Sequence, residues 1–160
     1  MYHVSTIAEG GFGVVYLTQN NKGKKFALKR LIVPRDDEER NSVVKRERDI
    51  MKAVSDHPYI ISLVSSQKSP DGSNPNQSAW YFLMEYSPNS VQRVMTSHFE
   101  SNKSIKEKLI LQIFVQTCVA VNYLHTHFTP PIAHRDIKIE NILIGEDGRF
   151  MMFDFDFIDV

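Results

Sequence analysis

The sequence predicts an α+β fold, in which a small antiparallel β lobe containing one helix precedes a mainly helical second part. Short runs rich in Val, Ile, Tyr and Phe alternate with turn signals over the first 86 residues. One helical stripe, at residues 37–55, interrupts these β runs. A long amphipathic stretch at 104–125 then indicates a second helix. Ser87-Pro88-Asn89-Ser90 is typical of a linker, so we divide the chain into residues 1–86 and 87–160.

Composition excludes several classes of protein. Lys plus Arg and Asp plus Glu are both 19, so the formal net charge is +0 and no basic excess indicates nucleic acid or an anionic membrane as a partner. The single cysteine, Cys118, excludes an internal disulfide and fits a reducing, cytoplasmic setting. It lies in an apolar helical pattern, so we expect it to be buried. We expect no transmembrane segment and see no signal peptide.

A glycine cluster separates the first two β runs. The G-x-G-x-x-G spacing falls on Ala8, Gly10 and Gly13, with Gly11 and Phe12 between the two glycines. A dinucleotide-binding loop would open a helix, whereas here a β run beginning at Val14 follows. This context favours a hairpin whose loop backbone covers phosphates. A flexible hairpin tip without chemistry is the open alternative.

The first helix offers a partner for a lysine in the third β run. Lys29 lies in the run Phe26–Leu31, where a lysine is ordinarily solvated. Glu47 lies within the apolar stripe of the helix, and a carboxylate on a buried face needs a cation. We therefore expect Lys29 and Glu47 to pair. Glu38 and Glu39 are the competing candidates, but they lie off the stripe.

The next segments complete the first part and lead into the second. We predict a strand at residues 59–64, a long polar loop at 65–79 and an aromatic strand at 80–86. Charge is sparse in that last strand, as the wall of an adenine pocket requires, but most of its residues are equally compatible with an ordinary core strand. Pro130 and Pro131 end the long helix of the second part.

The densest group of polar residues lies between His134 and Asn141. Asp136, Lys138 and Asn141 supply a base, a cation and an amide ligand for a metal immediately before the apolar run 142–144. In phosphoryl transfer Asp136 would accept the proton of the attacking hydroxyl, Lys138 would neutralise phosphoryl charge and Asn141 would hold Mg²⁺. Asp154 follows Asp136 by 18 positions after a hairpin turn and would supply a second metal ligand. A solvated loop with chance spacing is the alternative.

Together these residues resemble the eukaryotic-type protein kinases over about residues 2–157. The lysine at position 138, in the predicted catalytic loop, resembles the serine/threonine class of these kinases rather than the tyrosine class. The loop at 8–12 resembles the numb-associated kinases. Further similarities to that family are Ala27-Leu28-Lys29-Arg30, Lys45-Arg46-Glu47, Leu111-Gln112-Ile113-Phe114, Thr117-Cys118, and His134-Arg135-Asp136 with Glu140-Asn141-Ile142-Leu143.

The resemblance implies a protein-kinase-like fold, ATP and Mg²⁺ as cofactors, and a protein substrate, with endocytic adaptors as candidates. It implies catalytic roles for Lys29 and Glu47 in addition to Asp136 and Lys138. The implied ATP-binding residues are Ile7, Ala8, Gly10, Gly11, Phe12, Gly13, Val15, Ala27, Lys29, Met84, Glu85, Tyr86, Ser87 and Leu143. In that pattern Val15 and Ala27 contact the adenine from one side and Leu143 from the other. Met84 stands at the back of the pocket, and residues 85–87 offer hinge backbone groups.

Two departures from the family pattern bear on activity. Asp156 occupies the position of the glycine in the Asp-Phe-Gly motif. The sequence also stops at Val160, before an activation segment and further large-lobe helices, so we expect a C-terminally truncated kinase domain whose large lobe is incomplete and whose activity alone is doubtful. The alternative is a non-catalytic pseudokinase or a truncated module that binds nucleotide or a partner.

Overall fold

Within residues 2–10 and 13–155, the part of the chain described by the computed structural model, the elements follow the predicted α+β order. They form two compact units, the first within Met1–Ala53 and Ser62–Tyr86 and the second within Val54–Ile61 and Ser87–Val160. The elements of the first unit are β1 (Tyr2–Gly10), β2 (Gly13–Gln19), β3 (Lys25–Pro34), α1 (Glu38–Val54), β4 (Leu63–Pro70) and β5 (Gln77–Glu85). Those of the second are β6 (Asn89–Ser90), α2 (Val91–Glu100), α3 (Glu107–Thr126), a 3₁₀ turn (Ile139–Asn141), β7 (Ile142–Ile144) and β8 (Phe150–Met152).

The first unit is built on an antiparallel sheet with the strand order β1-β2-β3-β5-β4. Residues directly opposite each other in such a sheet point to the same face, as do residues two apart in one strand. Leu31 and Val33 of β3 and Trp80 and Phe82 of β5 form the buried cluster on one face. Val44 of α1 packs against this cluster. The predicted helix at 37–55 is confirmed as α1.

The prediction for residues 59–79 is wrong in detail. The expected strand at 59–64 begins only at Leu63, and the expected loop at 65–79 is mostly strand, because β4 continues to Pro70 and β5 begins at Gln77. The polar residues of β4 are largely exposed at the edge of the sheet. An edge strand without an apolar face lacks the alternation by which strands are recognised.

The second unit is centred on a small β6-β7-β8 sheet. Its apolar core joins Val91, Ile113, Ile142 and Phe150. Helix α2 was not predicted, although Ser90 is a good N-cap residue: its hydroxyl accepts a hydrogen bond from the backbone N–H of Arg93 at 3.2 Å. The segment before β4 belongs here because residues 59–61 hydrogen bond with Met152 of β8.

The long helix of the second part is confirmed as α3, but its buried face is narrower than the apolar pattern indicates. Only Ile113, Ala120 and Leu124 are buried, whereas Phe114 is 65% exposed. Cys118 is also exposed, so the prediction that it is a core residue is wrong. An apolar periodicity specifies a stripe but not which part of that stripe its neighbours cover.

Among the described residues, α3 is the one helix whose length and composition would allow it to cross a membrane. One such helix is weak evidence for a membrane span, because core helices of folded domains can have the same length and composition, so the absence of a transmembrane segment stays a prediction. Here α3 packs against β8 and carries three buried residues of the second unit's interior.

Candidate functional site

In the first unit, the sequence-predicted lysine and glutamate lie together. The Nζ atom of Lys29 on β3 lies 3.0 Å from Oε1 of Glu47 on α1, and the side chains are only 12% and 6% exposed. Glu38 and Glu39 are both exposed at the start of α1. An ion pair so withdrawn from water is weak evidence that the fold is stabilised by it, because the cost of desolvation offsets much of the attraction between the charges. It fixes an ammonium group at a defined position on the sheet.

The same face of the sheet carries most of the predicted adenine-binding positions. Val15 lies opposite Lys29, and Ala27 lies opposite Met84. Ala8 lies opposite Val15, which extends the same face onto β1. Ile7, at an irregularity in the register of β1, is 48% exposed. The sheet thus presents small and apolar side chains beside the Lys29 ammonium group.

The glycine cluster forms the end of the β1–β2 hairpin, where Gly10 pairs with Gly13. Gly11 and Phe12 lie outside the described residues. Gly13 has φ +131°, and a Cβ atom there would come within 2.2 Å of the carbonyl oxygen of Arg30. A side chain at Gly10 would instead meet nothing within 4 Å. Gly13 is therefore required by packing against β3, whereas Gly10 leaves open space beside the loop.

The predicted hinge residues have structural roles that the sequence did not reveal. The backbone N–H of Glu85 donates to the carbonyl oxygen of Ser62 at 3.1 Å, and the Glu85 carboxylate accepts from the Ser62 N–H at 2.8 Å. The N–H of Glu85 is thus engaged within the first unit. Ser87, assigned to the second unit, donates its hydroxyl to the carbonyl oxygen of Ile144 at 2.5 Å. Tyr86 is half-buried.

In the second unit, Asp136, Lys138 and Asn141 converge around one carboxylate. Oδ2 of Asp136 lies 2.7 Å from Nζ of Lys138 and accepts a hydrogen bond of 2.7 Å from Nδ2 of Asn141. The same amide nitrogen donates to the backbone carbonyl of Asp136 at 2.9 Å. Because both donations come from Nδ2, the orientation of the Asn141 amide is set by the loop itself. Leu143 is half-buried on the adjacent strand β7.

These contacts favour the charged forms of both ionisable groups. The hydrogen bond from Lys138 lowers the pKa of Asp136 below its ordinary value, and the hydrogen bond from Asn141 and the Lys138 charge act in the same direction. The hydrogen bond to Asp136 raises the pKa of Lys138, and the charges of Asp136, Glu140 and Asp154 contribute further. At neutral pH the loop therefore presents an ionised carboxylate beside an ammonium group.

His134 connects the loop to the segment after β8, a role not predicted from sequence. Its Nε2 lies 3.1 Å from the carbonyl oxygen of Phe153, and its Nδ1 accepts a weak hydrogen bond from the N–H of Asp136 at 3.4 Å. Burial lowers the pKa of His134, so the ring is neutral, and these contacts fit the tautomer with hydrogen on Nε2. The ring of Phe155 packs 4.9 Å from His134.

Asn141 and Asp154 are suited to a magnesium ion. The backbone N–H of Phe153 donates to the carbonyl of Asn141 at 3.1 Å, so the chain reaches Asp154 one residue after a contact with Asn141. Asp154 has φ +67°, a left-handed conformation that is uncommon outside glycine. Within the described ranges no group of three His, Cys, Asp or Glu residues could hold a metal. An amide and a carboxylate fit Mg²⁺, which ordinarily takes one or two protein carboxylates plus phosphate oxygens and water. Asp156 lies outside the described residues.

Comparison with known proteins agrees with this chemistry. The model of the protein kinase domain family matches residues 2–159, and the chain belongs to that family. Two probable serine/threonine-protein kinases of Dictyostelium discoideum are 36% and 38% identical to it over 160 and 154 residues, or 96% and 95% of the chain. The serine/threonine-protein kinase sel-5 of Caenorhabditis elegans is 34% identical over 153 residues, or 93% of the chain. The chain spans 14%, 19% and 14% of the lengths of these relatives.

Proposed function

We propose that this domain transfers the γ-phosphoryl group of ATP to a serine or threonine hydroxyl of a protein. The observation that carries the proposal is the Asp136 carboxylate held by Lys138 and Asn141 at 2.7 Å each. The relatives named as serine/threonine-protein kinases support the choice of acceptor. In the reaction the bond from the γ-phosphorus to ADP breaks, a bond to the hydroxyl oxygen forms, and the hydroxyl proton passes to Asp136.

Asp136 acts chiefly by orienting the acceptor hydroxyl. Its pKa is lowered by Lys138, so it is ionised at neutral pH and is a weak base before the reaction begins. A weak base suits a loose transition state, in which the hydroxyl keeps its proton until late. Lys138 is half exposed and stands beside this carboxylate. There its charge can stabilise negative charge that develops on the phosphoryl oxygens.

Asn141 and Asp154 would hold Mg²⁺, which when bound neutralises phosphate charge. In the first unit, Lys29 would bind nucleotide phosphates, and Glu47 fixes the position of its ammonium group at 3.0 Å. The open space beside Gly10 suits a close approach of backbone to phosphate. Val15, Ala27 and Met84 would bind the adenine from the sheet face on which the strand register places them.

We further propose that the domain belongs to the numb-associated kinases and acts on endocytic adaptor proteins in the cytoplasm. Support for the subgroup comes from the sequence patterns at 8–12, 27–30 and 45–47. The single cysteine and the need for ATP support a reducing, cytoplasmic compartment. The substrate class follows from the subgroup alone, so phosphorylation of adaptor fragments is its own test.

Transfer of labelled phosphate from ATP with Mg²⁺ to a serine-rich protein such as casein tests the main proposal. Asp136→Asn removes the proton acceptor while keeping the size of the side chain. We expect a loss of about 10²–10⁴-fold in kcat. Asp147→Asn is the matched control, since Asp147 lies in an exposed turn and pairs with Arg149. Equal rates for the wild type and Asp136→Asn would refute the catalytic assignment.

The second candidate, a non-catalytic module that binds nucleotide or a partner, is favoured by Asp156 in the glycine position of the metal-binding motif. An additional carboxylate there would repel phosphates or bind metal in an unproductive way. Asp156→Gly should then raise the transfer rate or the Mg²⁺ affinity. If the wild type binds ATP but shows no transfer and Asp156→Gly restores it, the non-catalytic function is the correct one for the natural sequence.

A further inference from the structure

Asn41, in the first turn of α1, uses every hydrogen-bonding position of its side chain. Its Nδ2 donates to the carbonyl oxygens of Pro34 and Asp37, both at 2.8 Å. Its Oδ1 accepts from Nζ of Lys68 at 2.8 Å and from Nε1 of Trp80 at 3.3 Å. A side-chain amide has two donors and two acceptor lone pairs, and here all four have protein partners.

These four partners come from four different segments of the first unit. Pro34 ends β3, Asp37 caps the N-terminus of α1 by accepting from the N–H of Arg40, Lys68 lies on β4, and Trp80 lies on β5. One half-buried side chain therefore ties the start of α1 to three strands of the sheet. A polar network in which every member is satisfied makes the structure around it rigid, so this convergence indicates a fixed position for the helix.

Trp80 extends this attachment along the helix. Its ring lies 5.7 Å from the guanidinium carbon of Arg48 and 5.0 Å from Nζ of Lys68. Val44 packs against the buried cluster that contains Trp80. Positions 41, 44 and 48 lie on one side of a helix, because they follow the three- and four-residue spacing of its turns. Helix α1 thus contacts Trp80 or the cluster around it over two turns, from Asn41 to Arg48.

The geometry points to Asn41 as a positioning residue for the Lys29–Glu47 pair, an inference that rests on the proposed function. Glu47 follows Asn41 by six positions, which is about 9 Å along the axis of the helix. Trp80 lies opposite Leu31, two residues from Lys29 on the same face of β3. The Asn41 contacts with the strands therefore fix the rotation of α1 about its axis and its position along β3 and β5, the strand pair that carries Lys29.

Only an amide satisfies all four partners. In Asn41→Asp the carboxylate keeps the contacts with Lys68 and Trp80 but places lone pairs against the carbonyls of Pro34 and Asp37. Asn41→Leu has similar volume and loses all four hydrogen bonds. Trp80→Phe removes the indole N–H and keeps a ring in the cluster. Comparing the three variants distinguishes the effect of the hydrogen bonds to the Pro34 and Asp37 carbonyls from that of the hydrogen bond with Trp80.

The direct test measures the reactivity of the Lys29 amine, which needs no catalysis. The full chain is treated with an amine-acylating reagent, and the rate of modification at Lys29 is read by mass spectrometry at a temperature where every variant is folded. An ammonium group held by a carboxylate reacts slowly, so we expect Asn41→Leu to raise the rate at Lys29 by about fivefold. Trp80→Phe should give a smaller increase. In the double variant with Asn41→Leu, Trp80→Phe should raise the modification rate at Lys29 by less than it does alone, because both changes remove the same hydrogen bond.

Asp71→Asn is the matched control for lost stability. Asp71 pairs at 2.6 Å with Arg30, which is next to Lys29 in β3 and therefore points to the opposite face of the sheet. This variant should lower the thermal midpoint without changing the modification rate at Lys29. Equal acceleration in Asp71→Asn and Asn41→Leu, or none in Asn41→Leu, would overturn the inference.

ATP kinetics supply a second readout. Asn41→Leu should raise the KM for ATP by about fivefold with a smaller change in kcat, because a displaced Lys29 weakens nucleotide binding. Asp71→Asn should leave both constants unchanged. If Asp136→Asn keeps full activity, the proposed function fails while the Lys29 labelling result still stands, so the two failures are distinguishable.

Discussion

Two glycines of the β1–β2 hairpin, three positions apart, should respond to the same substitution in opposite ways. At Gly13, φ is +131° and an added Cβ atom would lie 2.2 Å from the carbonyl oxygen of Arg30 and 2.9 Å from Cδ2 of Leu31. Real Cβ atoms do not approach a backbone oxygen so closely, so β2 would have to move away from β3. At Gly10 an added Cβ atom meets nothing within 4 Å.

The magnitudes follow from these contacts. A non-glycine residue in the conformation of Gly13 costs about 1–3 kcal/mol, and displaced ladder hydrogen bonds between β2 and β3 add about 1 kcal/mol. We therefore expect Gly13→Ala to lower the free energy of unfolding by about 3 kcal/mol and the thermal midpoint by about 6–12 °C. Gly10→Ala should change the free energy of unfolding by less than about 1 kcal/mol, since its conformation suits other residues.

The assay is urea denaturation followed by the fluorescence of Trp80, the single tryptophan of the chain. Trp80 is buried in the cluster of the first unit, so its emission reports the unfolding of the unit that contains both glycines. Under the proposed function, Gly10→Ala should also raise the KM for ATP, because its methyl group occupies space beside the loop. A Gly13→Ala protein that unfolds at the wild-type urea midpoint would refute the register of β2 against β3.

Two further predictions concern pH. Lys138→Ala removes the group that contributes most to lowering the pKa of Asp136, so this pKa should rise. The acid limb of the pH profile of kcat/KM should then move to higher pH. Lys138→Arg should keep the limb near its wild-type position, because the cation is retained. An unchanged limb in Lys138→Ala would mean that another group titrates there. Burial lowers the pKa of His134 below 6.5 in the folded state, so the unfolded chain takes up the proton first, and stability should fall as pH drops from 6.5 to the folded pKa. We expect His134→Phe to reduce this loss, which has a maximum slope of about 1.4 kcal/mol per pH unit, and circular dichroism during urea unfolding at pH 7.5 and 5.5 would measure it. If the wild type and His134→Phe showed the same pH dependence of stability, His134 would be excluded as its source.

Local patterns in the sequence determined much of the second unit's chemistry. Asp136, Lys138 and Asn141 lie within six residues, so their contacts depend on one short loop and could be anticipated from the residue types alone. The pairing of Lys29 with Glu47 was also predictable, because an acid within an apolar helical stripe requires a cation. In both cases the cost of burying charge limits the arrangements that a folded chain can adopt.

Contacts between distant segments were decided by the tertiary structure alone. The Asp71–Arg30 pair joins residues 41 positions apart, and the Asn41–Trp80 hydrogen bond joins residues 39 apart. The first pair joins β3 to the residue after β4 and the second joins α1 to β5, and side-chain periodicity does not encode which of these elements pack together. The exposure of Cys118 has the same origin, because periodicity identifies an apolar face while only the packed neighbours determine how much of it is covered.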